Sequence, residues 1–269
     1  MPLFDLYKKI LYNIRKEGEK MITNFYVGGD THGVAKNLYK FISKMETPKS
    51  ESAIILLGDV GFNYFGDERD EDLKDDLNNE HVVLYCLRGN HEFRPSSLPN
   101  IIRKYDPNVD GEILYEPKYP YIRYFLDEGC VYYINDKRVL TVPGAYSVDK
   151  EYRVLRGWRW FKDEQLSYNE MNMLYDSLSE YDHFDYILSH TCPLIYEPDI
   201  SFLFMDGVDQ TKVDKSTEIF LNDIIENFDY GRLYFGHFHA NYDLPNFPAT
   251  MLYQDIIPLG ETLHSMEIS

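Results

Sequence analysis

The chain has 269 residues with 45 acidic and 27 basic side chains, a formal net charge of −18. Hydrophobic residues at 44% and charged residues at 27% describe a globular chain long enough to bury a large core, which excludes a disordered one. The acidic balance excludes coating of nucleic acid or anionic membrane through bulk charge, but not a small phosphorylated substrate held by local cations.

The first twenty residues place Leu3, Leu6, Tyr7, Ile10, Leu11 and Ile14 at helical spacing with charges throughout. This predicts a helical extension over 1–20, packed on its own domain rather than cleaved as a signal peptide, ahead of one domain over 21–269. Short β-type runs follow at Thr23–Gly28, Ala53–Leu57, Val82–Leu87, Val131–Ile134, Arg138–Val142, Tyr186–Ser189, Leu233–Phe235 and Thr250–Ile257. Helical spacing alternates with them over Ala35–Met45, near Asp163–Tyr181 with a capping box at Ser167 and Glu170, and over about Val213–Phe228. Asn135-Asp136 supplies a hairpin turn, and the acid-rich run Asp67 to Asp76 reads as a solvated helix face or a mobile loop. Strands alternating with helices point to α/β layers. None of the apolar runs approaches the ~20 residues of a membrane span. Cys86, Cys130 and Cys192 form no CxxC pair, so a reducing cytoplasm is the expected compartment.

Five of the predicted strands end in potential metal ligands. They run into Gly29-Asp30-Thr31-His32-Gly33, Gly58-Asp59, Gly89-Asn90-His91-Glu92, His190 and Gly236-His237-Phe238-His239. Ligands gather outside the carboxyl ends of strands in open α/β sheets, so these loops can converge on one crevice. Imidazole, carboxylate and amide donors suit Mn, Fe or Zn, and a carboxylate can bridge two ions, Asp59 being the natural candidate. Two ions ~3.5–4 Å apart activate water and clamp a phosphoryl group.

These motifs, from about Thr23 to Ile257, resemble those of the calcineurin-like metallophosphoesterases. The resemblance implies two mixed β-sheets sandwiched between helices, a four-layer fold with a dinuclear site at the strand ends. One divalent ion (Mn, Fe or Zn) would then take Asp30, His32, Asp59 and His239, and the other Asp59, Asn90, His190 and His237. His91 would contact phosphate and protonate the leaving oxygen, with hydrolysis by a metal-bridging hydroxide. The chain departs from the family's protein phosphatases at Gly58-Asp59-Val60-Gly61-Phe62-Asn63, where their GDxxDRG is absent. His91 therefore needs another orienting group, for which Glu92 is one candidate, while Asn63 is a candidate donor to phosphate.

The segment Gly144–Trp160 is dense in arginine and aromatics and resembles one found in bacterial and phage-type members of the family. Arg153 or Arg156 can clamp a phosphate and a Trp can stack on a leaving group. The competing reading packs the Trp residues on the core and pairs the Arg residues with surface acids. The function expected is hydrolysis of phosphomonoesters or phosphodiesters. Its rivals are a nuclease, a hydrolase of nucleotides or dinucleoside polyphosphates, and a non-catalytic protein-binding scaffold. Two divalent ions less two Asp ligands and one hydroxide leave a local charge of about +1, which favours small anions over extended ones. The oligomeric state is left open.

Overall fold

The computed structural model describes residues 21–198 and 210–263. The helical extension expected over 1–20 lies outside the described residues.

Two mixed sheets carry the architecture. The first has seven strands: β1 (Asn24–Gly28), β2 (Ser52–Leu56), β3 (Val83–Cys86), β4 (Ile102–Asp106), β5 (Gly111–Tyr115), β6 (Ile122–Tyr124) and β13 (Ile256–Pro258), in the order β13-β1-β2-β3-β6-β5-β4. Strands β1, β2, β3 and β6 run parallel, while β13, β5 and β4 are antiparallel to their neighbours. The second has six: β7 (Cys130–Ile134), β8 (Lys137–Val142), β9 (His183–Ser189), β10 (Asp229–Phe235), β11 (Tyr242–Asp243) and β12 (Ala249–Met251), ordered β11-β12-β10-β9-β8-β7. Its β8, β9, β10 and β12 are parallel.

Period-2 alternation divides the apolar side chains between three cores. On β2, Ala53 and Ile55 face a core shared with Leu188 and Tyr234 of the other sheet, while Ile54 and Leu56 face a second core with Leu38 and Ile42. Those two leucine and isoleucine side chains lie on α1 (Lys36–Lys44), and α2 (Glu68–Asn78) adds Leu77. On the far side, Phe184, Ile187, Leu233 and Phe235 pack against Met171 and Leu174 of α4 (Tyr168–Ser177) and Phe220, Leu221 and Ile224 of α5 (Ser216–Asn227). The result is helix, sheet, sheet, helix. It is the expected fold. A fifth helix, α3 (Lys150–Arg156), belongs to none of these layers and buries no residue.

The long strand expected at Thr250–Ile257 is two strands, β12 in one sheet and β13 in the other, because the chain crosses between sheets at Leu252–Asp255. The acidic run is a helix rather than a loop. Asp67 caps it, and buried Asp70 turns inward to accept the N–H groups of Phe65 (3.0 Å) and Gly66 (2.6 Å). Both bonds of the Ser167–Glu170 capping box are present. Asn135 and Asp136 have φ of 49° and 61°, the left-handed pair a two-residue hairpin of matching twist requires.

Candidate metal centre

The parallel strands β1, β2 and β3 of one sheet and β9 and β10 of the other deliver their carboxyl-end loops to one edge of the sandwich. The loops are tied by backbone: His32 N–H donates to Asp59 O (2.7 Å), Gly33 N–H to Val60 O (2.9 Å) and Gly236 N–H to His190 O (2.9 Å). Two groups of ligand atoms result, Asp30 with His32 and His239, and Asp30 with Asp59 and His190. In the first, the His32 and His239 Nε2 atoms lie 2.7 Å apart and at 3.7 and 3.5 Å from Asp30 Oδ2. In the second, His190 Nε2 lies 3.5 Å from Asp59 Oδ2 and 2.8 Å from the Asn90 amide oxygen. Nitrogen and oxygen donors converging on one point are the set a divalent transition ion requires.

His190 shows how an orientation is fixed. Its Nδ1 donates to Leu57 O at 2.6 Å, which sets the tautomer and leaves Nε2 with a lone pair for the site. Burial alone would disfavour its cation, but the Asp59 and Asp30 carboxylates overcome this and raise its pKa to about 9. The negative potential that holds this proton can equally hold a metal. His237 is buried, 5.1 Å ring to ring from His190. Its pKa is pushed well down by burial and by His190, and its backbone N–H donates to both Asp30 oxygens at 3.0 and 3.1 Å.

The backbone bends hard to achieve this. His32, Asp59, His237 and His239 have φ between 48° and 68°, the left-handed region that non-glycine residues avoid. Such residues cost on the order of 1 kcal/mol each and cluster where function demands a geometry. Close approach explains two neighbouring glycines: a Cβ on Gly89 would overlap the Asp59 carboxylate, and one on Gly236 the Asp30 carboxylate.

The family model for calcineurin-like phosphoesterases matches residues 23–241. The chain belongs to that family. Curated proteins yield no match. Among solved structures it is similar to a protein of unknown function, AQ665, from Aquifex aeolicus, at 14% identity and a TM-score of 0.38 over 91% of this chain and 97% of that one. That likeness is too distant to bear on fold or function.

For this member of the calcineurin-like family, the seven expected ligands all lie at the same sandwich edge. Asp30 is common to both groups of carboxylate and imidazole donors, and Asp59 belongs to the second. Asp59 Oδ1 accepts the His91 N–H at 2.7 Å, while its Oδ2 faces His190. Glu92 does not orient His91. Its carboxylate accepts the N–H groups of Gly89 (2.7 Å) and Asp59 (3.2 Å), and burial, then the Asp59 charge, raises its pKa to about 8. Arg153 meets the His91 ring, its Nη2 lying 3.0 Å from His91 Nε2 while its Nε donates to both Asp149 oxygens at 2.8 Å, and Asn90 Nδ2 lies 3.3 Å from the same ring nitrogen.

Arg153 and His91 line a cleft of about 440 Å³ that also includes His32, Asp59, Tyr64, Phe65 and Trp158. Arg156 is not part of it; its guanidinium stands 5.1 Å over the Tyr152 ring. Asn63 is buried and does not line the cleft either. Ser147 and Glu164, which no motif marked, stand directly behind a ligand. Asn90 Nδ2 donates to Ser147 Oγ (2.9 Å), which donates to Glu164 Oε2 (2.5 Å).

Proposed function

We propose that the protein hydrolyses phosphomonoester or phosphodiester bonds, using two divalent ions, Mn, Fe or Zn, held by Asp30, His32, Asp59, Asn90, His190, His237 and His239. The observation that carries this reading is the pair of convergent ligand groups beside His91 and Arg153 in one cleft. Such ions, when bound, acidify a water and neutralise phosphoryl charge.

The remaining work falls to the chain's own residues. Arg153, preset by Asp149, offers its guanidinium to a phosphate oxygen in a fixed fork. His91 serves as the acid for the leaving oxygen. Without substrate its pKa is lowered to about 4, because burial and then the Arg153 guanidinium disfavour the cation against the pull of Asp59. A phosphate lodged between the two engages the guanidinium and adds negative charge beside the imidazole. Both effects raise the His91 pKa, so the proton is held when a leaving group needs it.

A non-catalytic scaffold would have no use for an imidazole opposed to a preset arginine. A polymer substrate is disfavoured by the net charge of −18. The three cysteines are free and, among the described residues, no helix is long and apolar enough to cross a membrane. A cytoplasmic site of action is part of the same proposal.

The test is turnover of phosphomonoester and phosphodiester panels after chelation and reloading with Mn, Fe or Zn. His91→Ala is expected to bind metal and lose ~10²–10⁴ in rate, and Asp59→Ala to lose metal. Metal-independent turnover, or full activity in His91→Ala on an ester with a poor leaving group, would contradict the proposal.

A further inference from the structure

Beyond its polar members, the cleft is walled by three aromatic side chains: Tyr64, Phe65 and Trp158. None of them is needed to assemble the metal ligands. Two are held in place by neighbours around the cleft, Tyr64 also meeting the buried Phe161 ring edge-on at 6.1 Å. Phe65 is fixed from behind, its N–H bound to the buried Asp70 carboxylate at 3.0 Å and its ring capped by the Arg69 guanidinium at 3.5 Å. Tyr64 stands edge-on to Phe65 with centroids 4.7 Å apart, and its hydroxyl accepts from Arg153 Nη1 at 3.4 Å, so it adjoins the guanidinium that faces His91.

Trp158 is the third wall. It is 52% exposed and follows α3, which buries no residue. The helix is closed by Gly157 at φ 66°, the Trp158 N–H donates to Arg153 O at 2.8 Å, and Tyr152 meets the indole edge-on at 5.5 Å. The indole is left half in water, beside a helix without a core face. The same short segment points Arg153 at the reacting end of the cleft and sets Trp158 on its wall.

We infer that this aromatic wall is a subsite for the leaving group, and that the preferred substrates are phosphate esters whose alcohol carries a flat aromatic ring, a nucleoside or an aryl-substituted alcohol. The inference rests on the phosphoester-hydrolysis reading above and narrows its substrate class. A cleft of about 440 Å³ with aromatic walls and a few convergent polar groups is the size and character that small-molecule sites share. Flat rings stack on such walls without a demand for particular hydrogen bonds, which makes the wall tolerant of ring identity.

The experiment compares adenosine 5′-monophosphate with ribose 5-phosphate, which present the same phosphate and leaving oxygen with and without an aromatic ring. Naphthylmethyl phosphate against cyclohexylmethyl phosphate forms a second pair. In the metal-loaded protein, kcat/KM is expected to favour the ring-bearing ester in at least one pair; the pair that shows it identifies the source of the ring. Trp158→Ala should cut that preference ~5–20-fold, and Trp158→Phe should retain most of it. Saturation-transfer NMR with adenosine and with naphthalenemethanol reads the subsite without hydrolysis, and saturation of ring protons should fall in Trp158→Ala. If no ester is turned over yet ring protons are saturated in a Trp158-dependent way, the hydrolysis reading fails and the subsite stands. Equal kcat/KM within both pairs, a preference indifferent to Trp158→Ala, or absence of ring saturation overturns the subsite.

Discussion

Ser147→Ala removes one oxygen from the support behind the metal residues, and its consequences can be worked out atom by atom. Ser147 Oγ accepts from Asn90 Nδ2 at 2.9 Å and donates to Glu164 Oε2 at 2.5 Å, all three residues being buried. The substitution leaves an amide N–H and one carboxylate oxygen unpaired, while the Ser147 backbone N–H keeps Glu164 Oε1 at 3.0 Å. A neutral hydrogen bond is worth ~1 kcal/mol and a charge-assisted one ~1.5–3, so the metal-free protein should lose about 2–4 kcal/mol. Burial already raises the Glu164 pKa, and losing the hydroxyl raises it further. The larger effect is on the ligand. The Asn90 oxygen faces His190 Nε2 at 2.8 Å only while its amide nitrogen is held, so metal affinity should fall ~10–100-fold. Urea denaturation of the metal-free variant and calorimetric titration with Mn²⁺ measure the two effects separately. A variant that binds Mn²⁺ as tightly as wild type would refute the positioning role, whatever its stability.

Further predictions follow from the charges around the site. Because His190 holds its proton up to about pH 9, a metal must displace it; affinity should fall by up to tenfold per unit as pH drops below 9, with proton release seen in buffers of different ionisation enthalpy. Glu92, raised from its ordinary 4.5 to about 8, is protonated in the folded chain where the unfolded chain has already lost that proton. Its contribution to stability is full below pH 4.5 and fades as pH rises toward 8, so the stability of metal-free wild type relative to Glu92→Gln should decline across that window; a pH-independent difference would contradict the shift. Arg153→Ala should raise KM for phosphate esters ~10–100-fold, while Arg156→Ala, whose charge lies over Tyr152, should change it by less than ~2-fold.

The ligand set was legible in the sequence because each motif joins a β-type run to glycine and a metal-binding side chain, and strand ends bring such loops together. The inner elements were legible for a related reason: Ile54 and Leu84 sit in the unbroken apolar runs Ala53–Leu57 and Val82–Leu87. Strands β4 to β6 escaped notice because Ile102–Asp106 is a largely exposed edge with charges at three of its five positions, and Ile122–Tyr124 has only three residues. Helix α3 escaped because it has no buried face to impose a period. Ser147 and Glu164 meet Asn90 only through tertiary folding, 57 and 74 residues away, and no local pattern connects them. The same holds for Arg153, 62 residues from His91. Its candidacy came from composition, and only the folded chain separates it from Arg156.

Asp30 bears directly on the claim of a dinuclear centre, since among the described residues its carboxylate belongs to both groups of ligand atoms. The decisive measurement is the number of Mn²⁺ ions bound per chain by equilibrium dialysis, in wild type and in Asp30→Ala. Two ions are expected for wild type, with both affinities collapsing in the variant. A wild type that binds one ion or none, or an Asp30→Ala that still binds two with unchanged affinity, contradicts the account.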